Sequence, residues 1–137
     1  MEKFKFLEHT ADVKFQAFGK NLPEVFENCV LALSNILSNN DKIKSVKKKT
    51  INIEGGDDKK FLYNLLEEVI YLLDAEDFIT SKAKVNFDEK VRQLRVIFYG
   101  DDSKKYKSLN QVKSPTYNDM FIKKQKNKFT AQVVLDV

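Results

Sequence analysis

The segment Glu8-His9-Thr10-Ala11-Asp12 gathers two carboxylates, an imidazole and a hydroxyl into a short polar break. A turn in which Thr10 or Asp12 hydrogen-bonds the backbone accounts for such a break without any chemistry. At the other end, Val133-Val134-Leu135-Asp136-Val137 reads as strand and holds the Asp136 side chain and the Val137 α-carboxylate close to the folded body. Carboxylates brought together repel unless a cation or a proton compensates. If the last strand lies beside the first hairpin, Asp12 joins them. The set then offers hard oxygen ligands, suited to Ca²⁺, Mg²⁺ or Mn²⁺ and poor for soft metals.

Other chemistries lack their residues. The single histidine, His9, excludes sites needing two imidazoles from one chain, and the single cysteine, Cys29, excludes an internal disulfide framework and Cys-rich zinc sites. No Gly-rich phosphate loop or G-x-S-x-G elbow is present, and no serine is marked out beside His9 for a Ser-His-Asp arrangement. Glu67-Glu68 reads as the solvent face of a helix, not as an acid/base pair. The net charge is +4, and Arg92 and Arg95 are the only arginines among 24 basic residues. Lysine is a hydrated point charge, less suited than arginine to bidentate phosphate recognition. Runs such as Lys47-Lys48-Lys49 read first as solvated surface or edge-strand protection, although they could attract RNA.

The elements that position these residues follow from hydrophobic period. With 137 residues, 42% of them hydrophobic, and no Pro/Gly/Ser-rich linker, the chain predicts one domain over 1–137. Phe4 and Phe6 alternate with lysines as a first strand; Val13, Phe15 and Ala17 form a second, ended by Gly19. Asn21, Pro23 and Glu24 then signal a helix start, with Leu22, Val25, Phe26, Cys29, Val30, Leu33, Ile36 and Leu37 as its apolar stripe. Cys29 on that stripe reads as a small buried apolar residue. A strand spans Val46 to Glu54, and Asp57 or Asp58 caps a second helix through Leu73. Period two returns from Phe78, with strands around Ala83–Phe87 and Leu94–Phe98. Asp101 to Asn110 reads as a long loop, and a hairpin around Lys126-Asn127 closes the chain. The order ββαβαββββ predicts an α+β domain in which two amphipathic helices pack on a mostly antiparallel β-sheet system. Crossing connections leave room for a parallel pair. No apolar run reaches a membrane span, and the N-terminus has no signal-peptide core, so the expected compartment is the cytoplasm, or the nucleus in a eukaryote.

The same motifs resemble the archease family. The resemblance begins at Phe6-Leu7-Glu8-His9-Thr10-Ala11-Asp12-Val13 and runs through Ala17-Phe18-Gly19. It resumes over residues 61–72 and at Val112-Lys113-Ser114-Pro115-Thr116-Tyr117-Asn118-Asp119-Met120. It ends with Val133-Val134-Leu135-Asp136-Val137, so it spans nearly the whole chain. It implies a non-catalytic activator of RtcB-type tRNA-splicing ligases that promotes guanylylation and multiple turnover of the ligase. It further implies a divalent ion, Ca²⁺ first and Mg²⁺ or Mn²⁺ next, held by Asp12, Asp136 and Val137, the last through its backbone or terminal carboxylate. His9 and Lys113 are the implied contacts to the ligase or its nucleotide, with tRNA met only indirectly. Three positions depart from the family pattern: Asn118 stands where His is usual, Phe129 where Trp is common, and the 101–110 segment lacks a His often found there. Two rivals stand beside this reading. One is a chaperone or RNA-binding adaptor in tRNA processing or modification that acts through a Lys-rich face. The other is a small metal-dependent hydrolase, for which His9 is the only neutral-pH base.

Overall fold

The computed structural model describes residues 1–8 and 12–137. The elements are β1 (Phe4–Leu7), β2 (Val13–Gly19), α1 (Leu22–Leu37), β3 (Lys47–Glu54), α2 (Asp58–Glu76), β4 (Phe78–Asp88) and β5 (Gln93–Asp102). A 3-10 turn (Ser103–Lys105), β6 (Ser114–Gln125) and β7 (Lys128–Asp136) complete the chain. The predicted order ββαβαββββ is the observed one.

The helix starts follow the sequence signals. The Asn21 side chain accepts a hydrogen bond from the Glu24 N–H at 2.9 Å, and Glu24 reaches back to the Lys20 N–H at 3.3 Å. Asp57, not Asp58, caps α2 by accepting from the Lys60 N–H at 2.9 Å. Beside that cap, the Arg92 guanidinium lies 5.4 Å from the Phe61 ring centroid and 5.1 Å from that of Phe87. It also donates to the Gly56 carbonyl at 2.9 Å, which ties the β4–β5 turn to the start of α2.

The strands form two sheets, ordered β1-β2-β7-β6 and β3-β5-β4. Every pairing among the described residues is antiparallel, so the parallel pair left open by the sequence does not occur there. Both helices contact strands of both sheets, α1 through β2 and β4, α2 through β6 and β4. One core cluster accordingly runs from Phe15 and Val133 through Phe26, Leu33, Leu65 and Val69 to Val96 and Phe98. Cys29 is fully buried in it, and burial pushes its thiol well above the usual range.

The segment expected as a loop from Asp101 to Asn110 is partly structured. β5 continues through Asp102, and Asp101 is buried, accepting from the Tyr106 hydroxyl at 2.8 Å and the Asp102 N–H at 2.8 Å. The Tyr106 hydroxyl in turn accepts from the Lys44 N–H at 3.0 Å. A polar node satisfied in this way leaves no trace in hydropathy, so the alternating pattern ends before the strand does.

Candidate functional site

The register of the first sheet joins the two ends of the sequence. Val13 pairs with Leu135, so Asp12, which precedes β2, and Asp136, the last residue of β7, adjoin the same terminal pair of the ladder. On the other flank of β7, Ser114 pairs with Asp136. The Lys113 N–H donates to the Asp136 carbonyl at 2.8 Å, which fixes the approach of the 112–120 motif to the end of β7. That bond occupies the Asp136 carbonyl, and its carboxylate is half-buried, without a side-chain hydrogen bond or salt bridge among the described residues. Val137 is 45% exposed, and the Lys113 side chain is exposed.

Sequence reasoning required the last strand to lie beside the first hairpin, and it does. Asp12, Asp136, Val137 and Lys113 are thereby brought to one end of the first sheet, where β2, β7 and β6 terminate together. His9, Thr10 and Ala11 lie outside the described residues. As donors, two carboxylates and main-chain oxygen fit a hard cation. Among the described residues, no three side chains of His, Cys, Asp or Glu come together as a metal-ligating group. A cation at this place therefore depends on the two aspartates and the Val137 main chain, without a third ligating side chain from that described set.

The 112–120 motif also has a physical basis. Val112 is 2% exposed, and the Thr116 hydroxyl donates to the Val134 carbonyl at 3.1 Å. Between Thr116 and Phe121 the β6–β7 register shifts, and Asp119 takes φ 54. The irregularity is held by side chains. Gln16 donates to Gln132 at 2.9 Å, Gln132 donates to the Asp119 carbonyl at 2.8 Å, and Lys14 lies 3.6 Å from the Asp119 carboxylate. Lys14, the nearest cation on the Asp12 side of β2, is thus directed toward Asp119. The bulge turns Tyr117 outward, 51% exposed, where it stacks on Tyr63 with centroids 4.5 Å apart and planes 8° from parallel. Burial, with the Glu67 carboxylate next, raises the Tyr63 hydroxyl; burial, with Asp57 and Glu67, raises that of Tyr117. The pairing of Tyr63 with Tyr117 was not read from the sequence. Its only signal was two tyrosines within recognised segments.

The model of the archease protein family matches residues 4–137. The chain is 34% identical over 139 residues to an archease of Sulfurisphaera tokodaii and 35% identical over 142 residues to one of Pyrococcus furiosus, covering each chain completely. The solution structure of Methanobacterium thermoautotrophicum protein 1598 is similar with a TM-score of 0.85 at 31% identity, covering 100% of both chains. The crystal structure of a Thermotoga maritima archease, described as a possible chaperone, shares the fold with a TM-score of 0.66 at 19% identity, over 97% of this chain and 96% of that one. With the α+β architecture and the joined termini, the full-length match shows that the chain belongs to the archease family.

Proposed function

We propose that this protein is a non-catalytic activator of an RtcB-type tRNA-splicing ligase. It promotes transfer of the guanylyl group from GTP to the ligase and sustains multiple turnover. The observation that carries this reading is the register that sets Asp12 and Asp136 at the same terminal pair of the β2–β7 ladder, with Lys113 hydrogen-bonded to Asp136. Nucleotidyl transfer builds negative charge on phosphates, and such charge needs a cation placed where it develops. Asp12, Asp136 and the Val137 main chain would hold a divalent ion, Ca²⁺ or, in the ligase reaction, Mg²⁺ or Mn²⁺, which would supply charge compensation at the phosphates. The carboxylates would orient and retain that cation. The Lys113 side chain, anchored through its own backbone, would meet a phosphate or an acidic residue of the ligase, and His9, from the same sequence motif as Asp12, would be the second contact. The description of the Thermotoga relative as a possible chaperone supports action on a protein partner.

The test is single-turnover guanylylation of the cognate ligase with GTP and Mn²⁺. It is run with this protein, without it, and with Asp12→Ala and Asp136→Ala variants that retain the wild-type circular dichroism. Faster guanylylation with the wild type, lost in both variants, is the expected result. No stimulation by the folded wild type refutes the ligase reading. Stimulation that survives both substitutions refutes the carboxylate mechanism.

A further inference from the structure

The outward face of the second sheet carries a pattern unrelated to the Asp12–Asp136 end of the first. Residues directly opposite one another in paired strands point to the same side. The register therefore builds rows across β3, β5 and β4: Lys48, Tyr99 and Lys82; Thr50, Ile97 and Lys84; Asn52, Arg95 and Asn86. The intervening rows contain Ile51, Val96 and Val85, then Ile53, Leu94 and Phe87, and these face the helices. Lys48, Lys82, Lys84 and Arg95 are exposed, with Tyr99 and Ile97 half-buried between them. None of the four cations forms a salt bridge among the described residues. Acidic side chains enter only at the far end of the face, as Glu54 and Asp88 flanking Gln93.

Protection of the sheet edges explains Lys48 on β3 and Lys82 and Lys84 on β4, but not the residues between them. Arg95, Ile97 and Tyr99 lie on β5, the central strand, which has no free edge to protect. A single-stranded polynucleotide requires cations along a backbone track and flat apolar groups between them for its bases. Tyr99 supplies such a ring, with the Lys82 ammonium 5.5 Å from its centroid. The ammonium already covers the ring face, and a phosphate that draws it aside frees that face for a base. The arginine adds a guanidinium plane two rows along, beyond Ile97. An acidic protein surface would satisfy the cations but would leave the tyrosine and isoleucine without a matching contact.

We propose that the outward face of the β3-β5-β4 sheet binds single-stranded RNA, with Lys48, Lys82, Lys84 and Arg95 on phosphates and Tyr99 stacked on a base. The four cations match about four successive phosphates, with one of the bases stacked on Tyr99. This site is separate from the carboxylate end of the first sheet and does not depend on the ligase reading.

The experiment measures binding of fluorescein-labelled 20-nucleotide oligo(U) to the full chain by anisotropy, without ligase, between 50 and 200 mM NaCl. Four cations displacing counterions from a single strand give a log–log slope of about −2.8, a roughly 50-fold loss over that range. Tyr99→Ala is expected to weaken binding about 5-fold or more, and Tyr99→Phe to restore it. Lys82→Glu with Lys84→Glu is expected to reduce the slope to about −1.4 or less. Lys123→Glu with Lys124→Glu, on the β6–β7 hairpin, is the surface-charge control and should change affinity less than 3-fold relative to the roughly 50-fold salt effect. Absence of binding at 50 mM NaCl overturns the proposal. So does binding lost in the hairpin control but kept in the sheet variants, or duplex RNA bound as tightly as oligo(U). Displacement of oligo(U) by polyglutamate at equal charge also overturns it and assigns the face to an acidic protein.

Discussion

Thr80 offers a substitution whose sign runs against the usual expectation for a core residue. It is 0% exposed in β4, and its hydroxyl is the one fully buried side-chain polar atom without a hydrogen-bond partner among the described residues. Its carbonyl is satisfied, accepting from the Ser34 hydroxyl of α1 at 2.6 Å, so the backbone there is anchored independently of the side chain. Thr80→Val replaces the hydroxyl with a methyl and keeps both shape and the β-branched preference for strand. An unpaired buried hydroxyl costs about 1–3 kcal/mol, and the substitution should recover most of that. For a chain of 137 residues, an unfolding entropy of about 2.1 cal/mol/K per residue makes 1 kcal/mol worth about 3.5 °C, so Tm should rise by roughly 3–10 °C. Thr80→Ser is the companion variant. It keeps the unpaired group and removes a buried methyl, and should lose about 1 kcal/mol. The chain has no tryptophan, so thermal and urea unfolding are best followed by far-ultraviolet circular dichroism. A fall in Tm for Thr80→Val would refute the reasoning, because it would mean that the hydroxyl is hydrogen-bonded in solution.

Asp101 sets a pH dependence. The hydrogen bond from Tyr106 is the main cause that holds its carboxyl below the ordinary value, with the Asp102 N–H and Lys105 adding to it. A carboxyl lowered on folding contributes stability that is full above its unfolded value of about 3.9 and is lost as pH falls through the folded value. Urea midpoints measured from pH 6 down to pH 2 should fall less steeply below about pH 4 in Asp101→Asn than in the wild type; parallel curves would refute this. Gly100, in β5, has no room for a side chain. A Cβ there would sit 2.1 Å from the Ile79 carbonyl oxygen, a backbone atom with no freedom to move aside, whereas one at Gly56 meets nothing within 4 Å. Gly100→Ala should cost about 3 kcal/mol or more, roughly 10 °C, while Gly56→Ala should stay close to wild type in the same thermal scan.

The legible parts of this fold were those written in local period and capping chemistry. Asn21, and the pair Asp57-Asp58 of which Asp57 is the cap, marked the helix starts because a cap needs a side-chain acceptor beside the free N–H groups. The stripe through Phe26, Cys29 and Leu33 identified the buried face of α1. What stayed hidden was non-local or irregular. The division into two sheets depends on β3 finding β5 and on β2 finding β7, pairings that no local window contains. In β4, the consecutive burial of Phe78, Ile79 and Thr80 before the bulge at Thr80/Lys82 masked the first residues of the strand. The bulge in β6 likewise broke the alternation over Tyr117–Met120. Of the candidate site, the pairing of the first hairpin with the last strand was inferable as a condition. The Lys113–Asp136 backbone bond and the Tyr63–Tyr117 stack were not, because each joins residues whose proximity only the tertiary structure creates.

The place of β7 between β2 and β6 has a consequence for how the protein is made. The β1–β2 hairpin leaves the ribosome long before the strand that completes it, because β2 and β7 are far apart in the sequence. For most of translation, the side of β2 that will pair with β7 is an open edge, beside the apolar side chains of Phe15 and Ala17. Open edges next to apolar surface invite pairing with other chains, and contacts this distant in sequence form slowly. A nascent chain of this protein is therefore itself exposed to misassembly until residues 128–136 are free. Ribosome stalling within β7 should be far more damaging than stalling in the β4–β5 turn of the second sheet, whose strands are neighbours in sequence.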